Sequence, residues 1–74
     1  MDDPQTTIKL LKAWCDEKYG RQSAVARMLG LSPQLVNDWF SGKSIPTWET
    51  GHAIQIFLKK SEKARKELIG ETDE

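Results

Sequence analysis

The sequence is short of cysteine and of long apolar runs, and each shortage excludes a class of protein. The one cysteine, Cys15, cannot form an internal disulfide, and with the one histidine, His52, it makes too small a ligand set for structural zinc. No segment approaches the ~20 apolar residues of a membrane span, and no basic stretch followed by an apolar run marks a secretory signal. We therefore expect a cytoplasmic protein without metal or cofactor.

Catalytic signatures are also missing. The sequence has no paired acid and base, no phosphate-binding glycine loop and no Ser/His/Asp set, so we expect no enzyme activity. What is present is the balance of a small globular protein, with 38% hydrophobic and 30% charged residues in 74 positions. A chain of this length forms one domain, which we place over residues 1–74.

Charge is balanced overall but unevenly distributed. Eleven basic residues face eleven acidic ones, yet two of the acids lie in the first five positions and three in the last five. Residues 4–70 therefore hold eleven positive and six negative charges, a net of +5. Such a body suits a nucleic-acid partner. We expect residues 1–5 and 70–74 to be flexible tails.

Apolar spacing and chain breakers predict an all-α fold. No period-2 run of β-branched residues lies between turn signals, so no strand is expected. The first helix is expected from Thr6 or Thr7 to Lys18, with Asp3 before Pro4 as an alternative start. The next three are expected at 22–29, at 33–41 and from Pro46 or Thr47 to Leu58.

The final stretch leaves two alternatives open. Residues 59–69 form either a short separate helix capped by Ser61 or a continuous extension of the fourth helix. The result is a compact bundle of four or five short helices. The positions with core spacing are Ile8, Leu10, Leu11, Trp14, Cys15, Val25, Met28, Leu29, Val36, Trp39, Phe40, Ala53, Ile54, Phe57 and Leu58.

One segment, RQSAVARMLGLSPQLVNDWFSGK from Arg21 to Lys43, indicates a function. Two short helices meet there across a glycine turn, with Ser32 as cap and Pro33 at the first helical position. The segment resembles the helix-turn-helix of lambda-type phage repressors, Cro proteins and related bacterial regulators, and the likeness extends loosely to Leu58. It implies a lambda repressor-like fold and sequence-specific binding of double-stranded DNA.

The resemblance also places the DNA-reading face of the second motif helix. That face comprises Pro33, Gln34, Leu35, Asn37 and Asp38. The amides of Gln34 and Asn37 present a donor and an acceptor together, which suits adenine. Asp38 either accepts from cytosine or excludes wrong sites, and Leu35 either touches a thymine methyl or completes the core.

Phosphate contacts are expected around the same motif. The resemblance assigns one to Gln22, and charge and position add Lys43 with the hydroxyls of Ser41 and Ser44. Arg21, beside the first motif helix, is a further candidate. The sequence departs from the family at three positions: Arg21 replaces a common Thr or Ser cap, Pro33 a frequent polar reader, and Phe40 a frequent Glu.

These features predict a transcriptional regulator, of the Cro-type phage or prophage repressor kind. The alternatives are the antitoxin of a toxin-antitoxin pair and a protein-interaction module on the same scaffold. One recognition helix reads few base pairs, so we expect a homodimer on DNA. Leu68 and Ile69, the only apolar pair near the end, are the expected dimer interface; the alternative is that they cover Leu10 or Trp14.

Overall fold

In the structure, a computed structural model that describes residues 3–71, five helices follow one another through short turns. The described residues contain no strand, which confirms the predicted all-α class. The helices are α1 (Pro4–Asp16), α2 (Arg21–Leu29), α3 (Pro33–Ser41), α4 (Trp48–Lys59) and α5 (Glu62–Leu68).

Side-chain caps begin four of these helices. Asp3, Ser32, Thr47 and Ser61 each accept a hydrogen bond from the backbone N–H three residues further on, as N-caps do. The cap at Asp3 shows that α1 begins at Pro4, the alternative start. The helix ends at Asp16, two residues before the predicted end at Lys18. Gln5 is therefore helical, and the expectation of a flexible tail is wrong there; residues 1 and 2 lie outside the described range.

Two glycines end α2 and α3. Gly30 (φ 75°) and Gly42 (φ 84°) adopt the left-handed conformation, and the N–H of each donates to carbonyls of the preceding turn. A side chain at either position would be strained, because a Cβ is poorly tolerated at positive φ. Gly30 thus permits the three-residue turn that sets α3 directly after α2.

The core lies where α1 packs against α2, α3 and α4. Its centre comprises Leu11, Val25, Val36 and Ile54, all almost completely shielded from solvent. Trp14 and Phe57 meet edge to face, with ring centroids 5.3 Å apart. One predicted core position is wrong, since about half of the Leu10 side chain is exposed.

The last helix is separate from α4. Lys60 takes an extended conformation that interrupts the helical path, and Ser61 then caps α5. The Trp14 indole N–H donates to Glu62 Oε1 at 3.1 Å, and Arg65 donates to the Leu58 carbonyl at 3.0 Å. These bonds fasten α5 to α1 and α4. No helix within residues 3–71 has the length and apolar character needed to cross a membrane.

Candidate nucleic-acid interface

The outer face of α3 is polar and rigidly supported. Pro33, Gln34 and Asn37 are exposed on it. Val36 and Trp39, on the opposite face, are buried against α1 and α2. An exposed polar face on a helix fixed by two buried side chains can present amides to a partner without reordering the backbone.

Both predicted amide readers are exposed, and Gln34 is in addition hydrogen-bonded within α3. Gln34 Nε2 donates to Asp38 Oδ1 at 3.0 Å, one helical turn away. This bond engages one N–H of Gln34, while its carbonyl oxygen and second N–H can still meet a base edge. Asn37 is exposed.

Leu35 is compatible with both of its expected roles, a contact with a thymine methyl and a place in the core. Its side chain is half-buried and packs against the core cluster, so it contributes to the core while part of it remains accessible.

The turn between α2 and α3 fixes how the two helices meet. Val25 and Ala26 are buried, and the Leu31 N–H donates to the Ala26 carbonyl at 2.8 Å. Gln22 Nε2 lies 3.5 Å from the Pro33 carbonyl oxygen, a long hydrogen bond that joins the starts of both helices. Gln22 and the reading face of α3 are therefore held beside each other.

The end of α3 offers one cation and fewer other donors than expected. Lys43 is exposed, but its backbone N–H closes onto the Asp38 carbonyl at 2.9 Å, so only its side chain is available to a phosphate. The Ser41 hydroxyl is exposed and donates to the same carbonyl at 3.3 Å. The Ser44 hydroxyl oxygen is buried, which corrects its expected phosphate contact.

Arg21 requires a clear correction. Only 4% of it is exposed, and its guanidinium lies 4.0 Å from the centre of the Trp14 ring. It donates to both carboxylate oxygens of Glu71 at 3.1 Å and to the Trp14 carbonyl at 2.9 Å. The expected contact of Arg21 with a DNA phosphate is therefore wrong, because the buried guanidinium is already paired with Glu71 and the Trp14 carbonyl.

The pKa values of two carboxylates near Arg21, Glu71 and Glu62, are lowered by their hydrogen bonds. Hydrogen bonding from Arg21 holds the pKa of Glu71 below its ordinary value. The pKa of Glu62 is lowered first by the bond from the Trp14 indole and then by Arg65. Glu71 is consequently no part of a free acidic tail; the expected tail residues beyond it lie outside the described range.

Leu68 and Ile69, the predicted dimer interface, differ in burial. Ile69 is buried in the core and is unavailable to a partner, which corrects its assignment to the interface. Leu68 stays 48% exposed. A single exposed leucine is ordinary for a small protein and marks no surface by itself.

Two lysines near the end of α3 were not among the predicted phosphate contacts. Lys9 and Lys12 line a groove of about 290 Å³ between α1 and the end of α3, opposite Ser41 and Gly42. Lys12 also pairs with Asp16 at 2.8 Å. Their spacing on the polar side of α1 was visible in the sequence, but only the packing of α1 against α3 brings them to the end of the reading helix.

Comparison with known families matches this architecture. A family model described as helix-turn-helix matches residues 11–64, which is more than half of the chain and includes α2, α3 and α4 in full. Comparisons with the curated proteins and with the solved structures found no match.

Proposed function

Since the chain belongs to the lambda repressor/Cro-like helix-turn-helix family and so is a DNA-binding protein of the transcription-regulator type, we propose that it is a Cro-type phage or prophage repressor. The observation that supports sequence reading by this chain is the exposed amide face of α3, held by the buried Val36 and Trp39. A helix presented in this way suits the major groove of double-stranded DNA.

Gln34 and Asn37 are the proposed base readers. Each amide offers an N–H and a carbonyl oxygen together, the pair of groups that adenine complements through N7 and N6. Pro33 and the exposed part of Leu35 lie beside them and supply apolar contact for a thymine methyl.

Asp38 has a positioning role in this proposal. By accepting from Gln34 it limits the rotation of that amide, and its negative charge at the groove disfavours sites that bring an acceptor close. Specificity at the Gln34 position thus depends on two residues of the same helix.

Phosphate contacts come from the edges of the reading face. Lys43 supplies a cation at the end of α3, Gln22 an amide at the start of α2, and Ser41 an exposed hydroxyl. These contacts set affinity and orientation, whereas the amides of α3 set the sequence preference.

The protein acts on DNA as a homodimer in this proposal. Two copies related by a two-fold axis would read half-sites about 34 Å apart, one turn of the duplex, and so require a nearly palindromic operator.

The experiment compares two alanine variants on duplexes selected from a random pool. Asn37→Ala should relax the preference at one or two base pairs, by about 1–3 kcal/mol each, because a base contact is lost. Lys43→Ala should weaken all duplexes about equally, because a phosphate contact carries no sequence information. If Asn37→Ala keeps the wild-type ranking of sites, Asn37 is no reader; if the wild type selects no sequence, the proposed function is wrong.

A further inference from the structure

The solvent-facing side of α4 is unusually apolar. Trp48, His52 and Ile56 recur every four residues and lie opposite the buried Ile54 and Phe57. Trp48 is 77% exposed and Ile56 45%. The rings of Trp48 and His52 stack, with an angle of 3° between the ring planes and centroids 5.7 Å apart. This side of α4 therefore presents two stacked rings and an isoleucine to solvent.

This surface continues beyond the helix. Ile45, just before α4, is 66% exposed, and Pro4 lines both the groove next to Ile45 and the groove of about 190 Å³ next to Trp48. We refer to Ile45, Trp48, His52 and Ile56 as the α4 face. Since an aromatic side chain carries about 150–250 Å², the α4 face offers on the order of 300–400 Å² of apolar surface. That is within the range of apolar patches that are often functional on a monomer.

Charge on α4 indicates what this surface fits. Glu49 is exposed at the start of the helix, and Lys59 and Lys60 are exposed at its end. Two copies of α4 packed antiparallel would bring the acidic start of each beside the basic end of the other, and would also oppose the two helix dipoles favourably. A parallel pair would place like charges together.

We propose that the α4 face is the surface through which two copies of this chain associate, antiparallel and about a two-fold axis near His52. The arrangement is isologous, because Trp48 of each copy meets the Ile56 end of the other. This α4 dimer replaces the end of α5 as the proposed dimer interface. Its binding to DNA rests on the proposed function.

The size of the α4 face predicts weak association. It is about half of the ~800 Å² per partner that a standard stable interface buries. Free protein should therefore be largely monomeric, and the dimer should form fully on an operator, where two half-sites hold both copies at high local concentration.

The first test needs no DNA. His52→Cys and Leu68→Cys place a thiol at the proposed axis and on α5, and each protein is treated with a short bis-maleimide. Burial raises the pKa of the Cys15 thiol to about 11, so the native cysteine contributes little background. We expect covalent dimer from His52→Cys and monomer from Leu68→Cys. Dimer from Leu68→Cys alone would overturn the proposal.

The second test compares matched charges on DNA. Ile56→Glu and Leu68→Glu alter side chains of nearly equal exposure, 45% and 48%, and add the same charge. Burial of a charge at the pair interface should make Ile56→Glu bind a two-half-site duplex at least ~10-fold more weakly, since an unpaired interfacial charge costs several kcal/mol. Its binding to a single half-site should match that of Leu68→Glu.

Equal loss on both duplexes would mean that the α4 face contacts DNA rather than a second copy, and would overturn the proposal. Failure of the proposed function has a different result: wild type then prefers no selected duplex, while the cross-linking of His52→Cys is unaffected.

Discussion

At the scale of the residue, two buried tryptophans differ in one hydrogen bond. The indole N–H of Trp14 donates to Glu62 at 3.1 Å, whereas no acceptor among the described residues reaches that of Trp39. A buried donor without a partner destabilises the folded state, and a satisfied one contributes modestly to it. The same substitution should therefore have different effects at the two positions.

We expect Trp14→Phe to lower the free energy of unfolding by about 1–2 kcal/mol more than Trp39→Phe. Both substitutions remove the same atoms, so the difference reports on the N–H and on the contact of Arg21 with the Trp14 ring. Urea denaturation measures it. Trp39→Ala is the reference for lost packing and should cost about 3–5 kcal/mol, enough to unfold much of so small a domain. Equal costs for the two phenylalanine variants would contradict the assignment.

Acid stability depends on Glu71 and Glu62, whose carboxylates lie 3.1 Å and 3.4 Å from the Arg21 guanidinium. The folded-state pKa values of Glu71 and Glu62 lie below the ordinary value of 4.5, so both carboxylates favour the folded state above that pH. This contribution is lost as the pH falls through the lower folded-state pKa, because protonation removes the bonds. We expect unfolding free energy to change little on this account above about pH 5.5 and to decline below pH 4.5.

Glu71→Gln is the test of this pH dependence. The variant should be less stable than wild type at neutral pH and should converge with it in acid, because it lacks one of the two titrations. Glu67→Gln, at an exposed position of α5, is the control and should keep the wild-type decline. Parallel pH curves for wild type and Glu71→Gln would show that Glu71 does not contribute.

At the scale of the element, short-range chemistry decided which features the sequence could predict. Caps, glycine stops and apolar spacing lie within four residues of what they control, so α2, α3 and α4 were predicted to within about two residues. The fate of Arg21 depends on Glu71, 50 positions away. The one carboxylate close in sequence, Glu17, lies 3.3 Å from the Arg21 guanidinium, but a single i, i+4 pair is compatible with an exposed phosphate ligand as well as with a buried ion pair. Leu68 and Ile69 likewise differ in burial only because of how α5 packs on the core.

Helix α4 contains a glycine that its backbone does not need. Gly51 does not have a positive φ, and an added Cβ would meet only Pro46 Cγ, at 4.0 Å, which is ordinary contact. Gly51→Ala should therefore raise the free energy of unfolding by roughly 0.5–1 kcal/mol, the usual difference between the two residues inside a helix. Thermal denaturation checks this. Gly42→Ala is the opposite case, because a side chain there is strained at positive φ, and it should lower stability.

At the scale of the whole molecule, few cations face the proposed DNA surface. With Arg21 engaged internally, Lys43 is the cation at the end of α3, and Lys9 and Lys12 flank the adjoining groove. Affinity should therefore depend on salt less steeply than in strongly basic DNA-binding proteins, because each neutralised phosphate contributes a slope of about −0.9 in log K against log salt.

The effect of Lys43→Ala on the salt dependence reports how many copies of the protein bind one operator. If two copies bind, the variant removes two phosphate contacts, and the slope should become shallower by about 2. Titrations of one operator at several salt concentrations give this difference. A change of about 1 indicates a single bound copy, and a wild-type slope near zero would favour the protein-interaction module over the DNA reader.

The exposed ring of Trp48 gives the molecule a built-in optical probe. Trp14 and Trp39 are buried, whereas Trp48 is open to solvent on the α4 face. A soluble quencher such as iodide should therefore reduce the emission of Trp48 first. Changing Trp14 and Trp39 to phenylalanine would leave Trp48 as the only tryptophan, which can be excited selectively over Tyr19. Protection of its fluorescence on adding an operator would then follow the covering of the α4 face in an unlabelled protein.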